Sequence, residues 1–283
     1  MNERILFPNL GIDLAHVGRS FSIGPVTIAY YGICIAVGML LGITALLMRA
    51  KETGQSRDDY LDISIWAMIF GVIGARIYYV IFSWEQYRGD LLSVFNLREG
   101  GLAIYGGIIG GFLTILVISR MRKIPVPVAL DTIIIGLPVG QILGRWGNFF
   151  NREAFGKFTD GLFAMQLPVS EVRPYEITEE MWANSVLIDG AEYIAVHPTF
   201  LYEGMWNCLV LLMLFLMRNR TKFPGELFLL YLIGYGTGRF MIETLRTDQL
   251  LFPGTQIPVS MLVAGITVMI SIILIILNRR KAV

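Results

Sequence analysis

TIIIGLPVGQILGRWGNFFNREAFG, residues 132–156, decides the fold. Residues 132–143 are almost wholly apolar. The next stretch places Arg145, Asn148, Asn151, Arg152 and Glu153 within nine residues. An oily run that ends in such a cluster reads as a membrane-crossing helix that carries polar groups to one face of the bilayer. Helical spacing sets Arg145, Asn148 and Arg152 on one face of it. Gly144 and Gly147 thin the adjacent surface, so backbone or lipid can approach.

The rest of the chain agrees with a membrane setting. Of 283 residues, 55% are hydrophobic and 16% charged, and the mean hydropathy is +0.62. Soluble domains carry about 25% charged residues. The expected class is an all-α integral membrane protein, with residues 1–283 forming a single polytopic domain. A net charge of +1 gives no global field for nucleic acid. Cys34 and Cys208 sit in apolar runs with no metal-ligand spacing, and read as packing residues. Residues 1–24 hold no continuous apolar run, so no cleaved signal peptide is expected.

A bilayer-spanning helix needs about 20 mostly apolar residues. Seven segments qualify: 26–48, 61–83, 102–119, 127–146, 199–217, 225–243 and 258–278. Twelve of the 23 basic residues fall in four triplets: Arg49/Lys51/Arg57, Arg120/Arg122/Lys123, Arg218/Arg220/Lys222 and Arg279/Arg280/Lys281. They occupy alternate connections and the C-terminal tail, which the positive-inside rule makes cytoplasmic. The N-terminus is then outside and the C-terminus cytoplasmic. Segment 157–197, with two basic and seven acidic residues, is expected to form a small extracytoplasmic head between the fourth and fifth spans. In YGGIIGG (105–111), the pairs Gly106/Gly110 and Gly107/Gly111 read first as close helix packing.

This orientation sets depth. Tyr30, Tyr31, Arg76, Tyr105, Arg145, Asn148, His197, Tyr202, Glu203, Tyr235, Arg239, Glu243 and Arg246 all fall in the outer half of the bilayer. Only Asp131 lies at the cytoplasmic end of the fourth span. A charge near the bilayer centre costs at least ~2.5 kcal/mol, so such groups pair or face a cavity. One reading is structural: Arg239, Glu243 and Arg246 at i, i+4 and i+7 form an ion-pair ladder. The other is functional: the arginines outnumber the nearby carboxylates and hold an external anion. The planar guanidinium fork suits phosphate, and a phospholipid head group is the abundant anion there.

These residues resemble the signature of the bacterial prolipoprotein diacylglyceryl transferases, through Gly144, Arg145, Gly147, Asn148, Phe149, Asn151, Glu153 and Gly156. YYG (30–32), GARIYYV (74–80), the GG-containing start of the third span, HPTFLYE (197–203) and GYGTGRFMIETLR (234–246) agree in order. The resemblance implies transfer of a diacylglyceryl group from phosphatidylglycerol to the lipobox cysteine of a preprolipoprotein. It implies no metal or cofactor, and a cytoplasmic (inner) membrane location with the site facing the outer leaflet. The expected partners are therefore phosphatidylglycerol, lipobox-bearing signal peptides and membrane lipid. Arg145 and Arg239 are the candidates for phosphate binding and charge stabilisation. Asn148, Asn151 and Tyr235 are candidates for fixing the head group, and Glu153, Glu203, Glu243 and Arg246 for lining and orienting the site. Gly156 is assigned to the turn out of the fourth span.

One position departs from the family pattern. The third span of well-known members begins His-Gly-Gly, whereas this chain reads Tyr105-Gly106-Gly107. Either Tyr105 takes over as proton acceptor, with Tyr31 the weaker alternative, or this position is not the essential base. Three other classes compete. A transporter would account for buried charge, but no matched broken helices appear in two halves. An intramembrane serine protease needs a serine with a partnered histidine, and no span carries that pair. A non-catalytic lipid-binding scaffold would share the arginines without making a thioether.

Overall fold

The structure is a computed structural model that describes residues 3–96 and 100–281. In chain order the elements are β1 (Ile5–Phe7), β2 (Ile12–Leu14), β3 (Ser20–Ile23), β4 (Val26–Ala29), α1 (Tyr30–Glu52), α2 (Arg57–Phe82), α3 (Trp84–Tyr87), α4 (Ile104–Met121), α5 (Val126–Ile133), α6 (Leu137–Asn151), β5 (Met165–Pro168), α7 (Glu179–Ala183), β6 (Val186–Ile188), β7 (Ala191–Val196), α8 (Thr199–Met217), α9 (Glu226–Glu243) and α10 (Val259–Lys281). Two compact units result. One comprises Met1–Gly42 with Ile135–Val283, and the other is Ile43–Ile134.

Among the described residues, five helices are long and apolar enough to cross a membrane: α1, α2, α4, α8 and α10. A sixth span results if α5 and α6 count as one, broken at 134–136. The break falls where Gly136 and Pro138 interrupt the pattern. In α9, Glu226, Arg239 and Glu243 raise the charge of the expected sixth segment. Large apolar side chains such as Leu40, Phe82, Ile104 and Leu216 stand exposed, as a surface solvated by lipid tails requires. The protein is a multi-pass membrane protein.

The all-α expectation is corrected by seven short strands among the described residues. β3 and β4 form a hairpin, so residues 26–29 of the first expected span are strand and the helix starts at Tyr30. The other five strands make an antiparallel sheet in the order β2-β1-β5-β7-β6, with Leu6 opposite Gln166 and Leu167 opposite Ile194. Alternation buries Ile5, Phe7, Leu167, Ile194 and Val196 on one face, against Phe149 of α6 and Phe200 of α8. Segment 157–197 therefore shares its sheet with residues 5–14. Strands of three to six residues are too short for alternation to stand out in an oily sequence.

In the Ile43–Ile134 unit, α4 lies against α2 at glycines. A Cβ on Gly74 would come 3.2 Å from Gly110 Cα, and one on Gly106 would collide with the Gly74 carbonyl. Gly107 and Gly111 keep ordinary clearance, so Gly106/Gly110 is the packing pair. Arg76 donates to the carbonyls of Ser93, Val94, Asn96, Gly100 and Gly101 at 2.7–3.1 Å. It clamps its own loop, which corrects its placement among the anion-holding groups.

Candidate active site

The site lies in the unit formed by Met1–Gly42 and Ile135–Val283, where α6, α8 and α9 meet. α1 and α6 approach through small residues. A Cβ on Gly42 would lie 2.8 Å from the Gly136 carbonyl, and one on Gly147 would lie 2.8 Å from the Tyr31 ring. The thinning at Gly147 thus admits Tyr31 of α1. Tyr30 stacks on Phe150 at 5.0 Å.

Glu203 of α8 is the hub, only 4% exposed. Its Oε2 takes Arg145 Nη2 at 2.7 Å, and its Oε1 takes Arg239 Nη1 at 3.4 Å and Arg246 Nη1 at 3.5 Å. Arg239 Nη2 also pairs with Glu243 at 2.7 Å. Arg246 donates from Nε and Nη2 to Asp248 at 2.8 and 2.6 Å. Burial opposes the charge of Asp248, but hydrogen bonds from Arg246 prevail and hold its carboxyl below the usual range. The Arg145 and Arg239 side chains keep 20% and 18% of their surface open.

The count corrects one expectation. Arg145, Arg239 and Arg246 meet Glu203, Glu243 and Asp248, three charges of each sign, so charge balance requires no external anion. Donor capacity remains: a guanidinium carries five N–H donors, and Arg145 pairs through Nη2 and, to Asn148 Oδ1 at 3.3 Å, Nη1.

A second carboxylate gathers the asparagines. Glu153 Oε1 accepts from Asn148 at 3.0 Å and Asn151 at 3.3 Å, and Oε2 pairs with Arg173 at 2.9 Å. Arg173 also pairs with Glu176 at 3.1 Å. Arg152 turns away from Arg145, against the helical-face reading. It caps α6 in the left-handed region at φ 54°, where the helix has ended, and donates to the carbonyls of Glu3, Val17 and Phe150.

Gly156 is also reassigned. Arg152 and Ala154, at φ 54° and 56°, make the turn after α6. Gly156 instead forms a bridge with Arg246, and its N–H donates to the His197 carbonyl at 2.9 Å. A Cβ there would lie 2.7 Å from His197 Cβ and 2.9 Å from the Leu245 carbonyl. His197 sits at the entry to α8, its Nδ1 3.3 Å from the Tyr202 hydroxyl. Burial pushes its pKa down.

Tyr235 stacks on Tyr231 at 5.5 Å, and Gln141 of α6 donates to the Tyr231 hydroxyl at 2.7 Å. A narrow cleft beside them is lined by Glu203, Trp206, Asn207, Tyr235, Gly238, Arg239 and Ile242. Tyr105 stands in the other unit, as the second residue of α4. Sequence reading passed over Arg173, Asp248, Gln141, Trp206 and Asn207. Arg173 had a signal, being one of two basic residues in 157–197.

Residues 19–277 match the sequence profile of the family described as prolipoprotein diacylglyceryl transferase. The chain belongs to that family. The matched region holds α1 through most of α10, and with them every arginine of the Glu203 cluster. Proteins named phosphatidylglycerol–prolipoprotein diacylglyceryl transferase are similar across the chain. One from Streptococcus suis (strain 05ZYH33) is 38% identical over 265 residues, 93% of this chain and 92% of its own length. One from Clostridioides difficile (strain 630) is 40% identical over 232 residues, 82% and 84% of the two lengths. One from Staphylococcus saprophyticus is 38% identical over 262 residues, 93% and 89%. Within this diacylglyceryl transferase-family chain, the signature segment 144–156 supplies Arg145, both asparagines and Glu153 to the two carboxylate hubs.

Proposed function

We infer that this protein transfers the diacylglyceryl group of phosphatidylglycerol to the lipobox cysteine thiol of a preprolipoprotein. A thioether forms and glycerol phosphate leaves, the first step of bacterial lipoprotein maturation. The observation that carries this reading is the convergence of Arg145, Arg239 and Arg246 on buried Glu203 within the region matched to the family.

The reaction is displacement at the primary carbon that bears the phosphate. A C–S bond forms, the C–O bond to phosphate breaks, and the thiol proton departs to a base or with the phosphate. The substrate brings the nucleophile, so the chain's tasks are binding, orientation and charge. Arg145 and Arg239 are prefixed by Glu203 and Glu243, and their open faces present donors that need no reorganisation when charge develops on the leaving phosphate. The same cations favour the thiolate. Arg246 acts through Glu203, as a positioning residue. Asn148 and Asn151 align through Glu153, and Tyr235 lines the cleft. Tyr105, or Tyr31, relays the proton; a phenol with a pKa near ~10 needs nearby cations to serve.

Seven spans, an outside N-terminus and a cytoplasmic C-terminus in the cytoplasmic membrane complete the proposal, the site facing the outer leaflet. Strand pairing supports the count. β1 and β5 share a sheet, so an even number of crossings separates them. α1, α2, α4 and the α5–α6 pair make four. Gly156 pairs with Arg246, so α8 and α9 cross together despite the charges of α9. The sheet of residues 5–14 and 165–196 then forms the extracytoplasmic head.

The test is to incubate purified protein with phosphatidylglycerol and a lipobox peptide and to look for a diacylglyceryl mass increase on cysteine. Arg145→Ala and Arg239→Ala, checked for folding, are expected to lose turnover by at least ~10²-fold. No mass increase with folded wild-type protein overturns the assignment.

A further inference from the structure

Asn207 is 2% exposed and lines the cleft beside Glu203 and Arg239. Among the described residues its side-chain amide has no hydrogen-bond partner, although an amide offers two donors and two acceptor lone pairs. Its amide atoms are not among the sealed, unpartnered ones, so a group entering the cleft can reach them and supply a partner. The frame around it is fixed. Trp206 donates its indole N–H to the Gly234 carbonyl at 2.8 Å, and any Cβ on Gly238 would strike that ring. Tyr235 is held by stacking on Tyr231. The space left is about that of one water-sized group, the minimum for a single small polar occupant. A carbonyl oxygen fits there.

Depth names the carbonyl. This step rests on the transfer reading above, with phosphate at Arg145 and Arg239. Asn207 follows Glu203 by four residues along α8, and Tyr235 precedes Arg239 by four along α9. Four residues are one turn, about 6 Å along the axis. Both therefore lie one turn toward the membrane interior from the arginines. In a phospholipid the groups one step below the phosphate are the glycerol backbone and its ester carbonyls. We propose that the Asn207 amide donates to an ester carbonyl of the donor lipid and so selects diacyl over dialkyl lipid. It holds the glycerol backbone in register with the arginines while its primary carbon is attacked.

The test uses full-length protein in vesicles with a lipobox peptide and two donors, diester phosphatidylglycerol and its diether counterpart. Wild type is expected to use the diester about tenfold faster, the size of one lost hydrogen bond. The near-isosteric Asn207→Leu is expected to lose about tenfold on the diester and little on the diether, bringing the ratio near one. The smaller donor Asn207→Ser is expected to keep part of the preference. Because each ratio is measured within one preparation, a loss of folded protein cancels. A ratio unchanged in Asn207→Leu, or absent in wild type, overturns the proposal and leaves the amide to a bound water. A third donor, phosphatidylpropanol, lacks head-group hydroxyls. If Asn207→Leu instead erases discrimination against that lipid alone, the amide reads the head group and the ester assignment is wrong. Wild type inactive on all three donors overturns both this proposal and the transfer reading.

Discussion

Glu203 determines what its arginines can do. With one oxygen on Arg145 and the other on Arg239 and Arg246, it fixes three cations that would otherwise repel. Glu203→Gln removes the charge and keeps the shape. Loss of one partner from a buried ion pair costs about 3–5 kcal/mol, so this variant is expected to unfold at markedly lower denaturant or temperature, measured in detergent. Arg145→Lys keeps the charge but loses the planar fork. It is expected to stay folded and to lose transfer by roughly 10²-fold, read as the rate of peptide modification. A rate near wild type would assign Arg145 to a point-charge role only. His197 sets an acid limit. Burial depresses its pKa, so below about 6.5 the unfolded chain binds a proton that the folded chain resists. Stability is full above that pH and falls as pH drops through it toward the folded pKa. Wild type is expected to lose more melting temperature between pH 7.5 and 5.5 than His197→Gln. Equal losses would mean the imidazole is not the group responsible.

At the scale of elements, glycines separate contact from slack. Gly156→Ala forces a Cβ to within 2.7 Å of His197 Cβ and 2.9 Å of the Leu245 carbonyl. Backbone cannot rotate away, so about 1–3 kcal/mol of destabilisation is expected, with the Arg246 bridge loosened. Gly204→Ala on α8 meets nothing within 4 Å and is expected to stabilise by roughly 0.5–1 kcal/mol through helix propensity. Thermal unfolding of the two variants checks both signs. The long helices were legible because about twenty apolar residues leave few alternatives. Their ends were less so: 26–29 is as apolar as a span but pairs as a hairpin. The arginine cluster was legible by depth, and its neutrality was not. The shared use of Glu203 by three arginines depends on contacts among α6, α8 and the end of α9, which no local pattern encodes, whereas Asp248 pairs locally with Arg246, two residues away. Arg152 shows the same limit. Its helical face was correct in spacing, but α6 stops one residue earlier.

At the scale of the whole molecule, pairing across the sequence makes topology testable. In protein freed of Cys34 and Cys208, cysteines at Ile12 and Leu187, both exposed, are expected to react with an impermeant thiol reagent from the same side of the membrane. A cysteine at Lys51 is expected to react only from the other side. Labelling of 12 and 187 from opposite sides would break the even crossing count. The sheet also carries a consequence for biogenesis. β1 leaves the ribosome roughly 160 residues ahead of β5, its partner in the sheet order β2-β1-β5, and in the proposed topology four crossings are inserted between them. During that interval its outer edge has no mate, the state in which strands recruit wrong neighbours. On the proposed orientation, synthesis therefore leaves residues 5–14 waiting in the exported compartment, and completion of the sheet reports that the intervening helices have all been threaded.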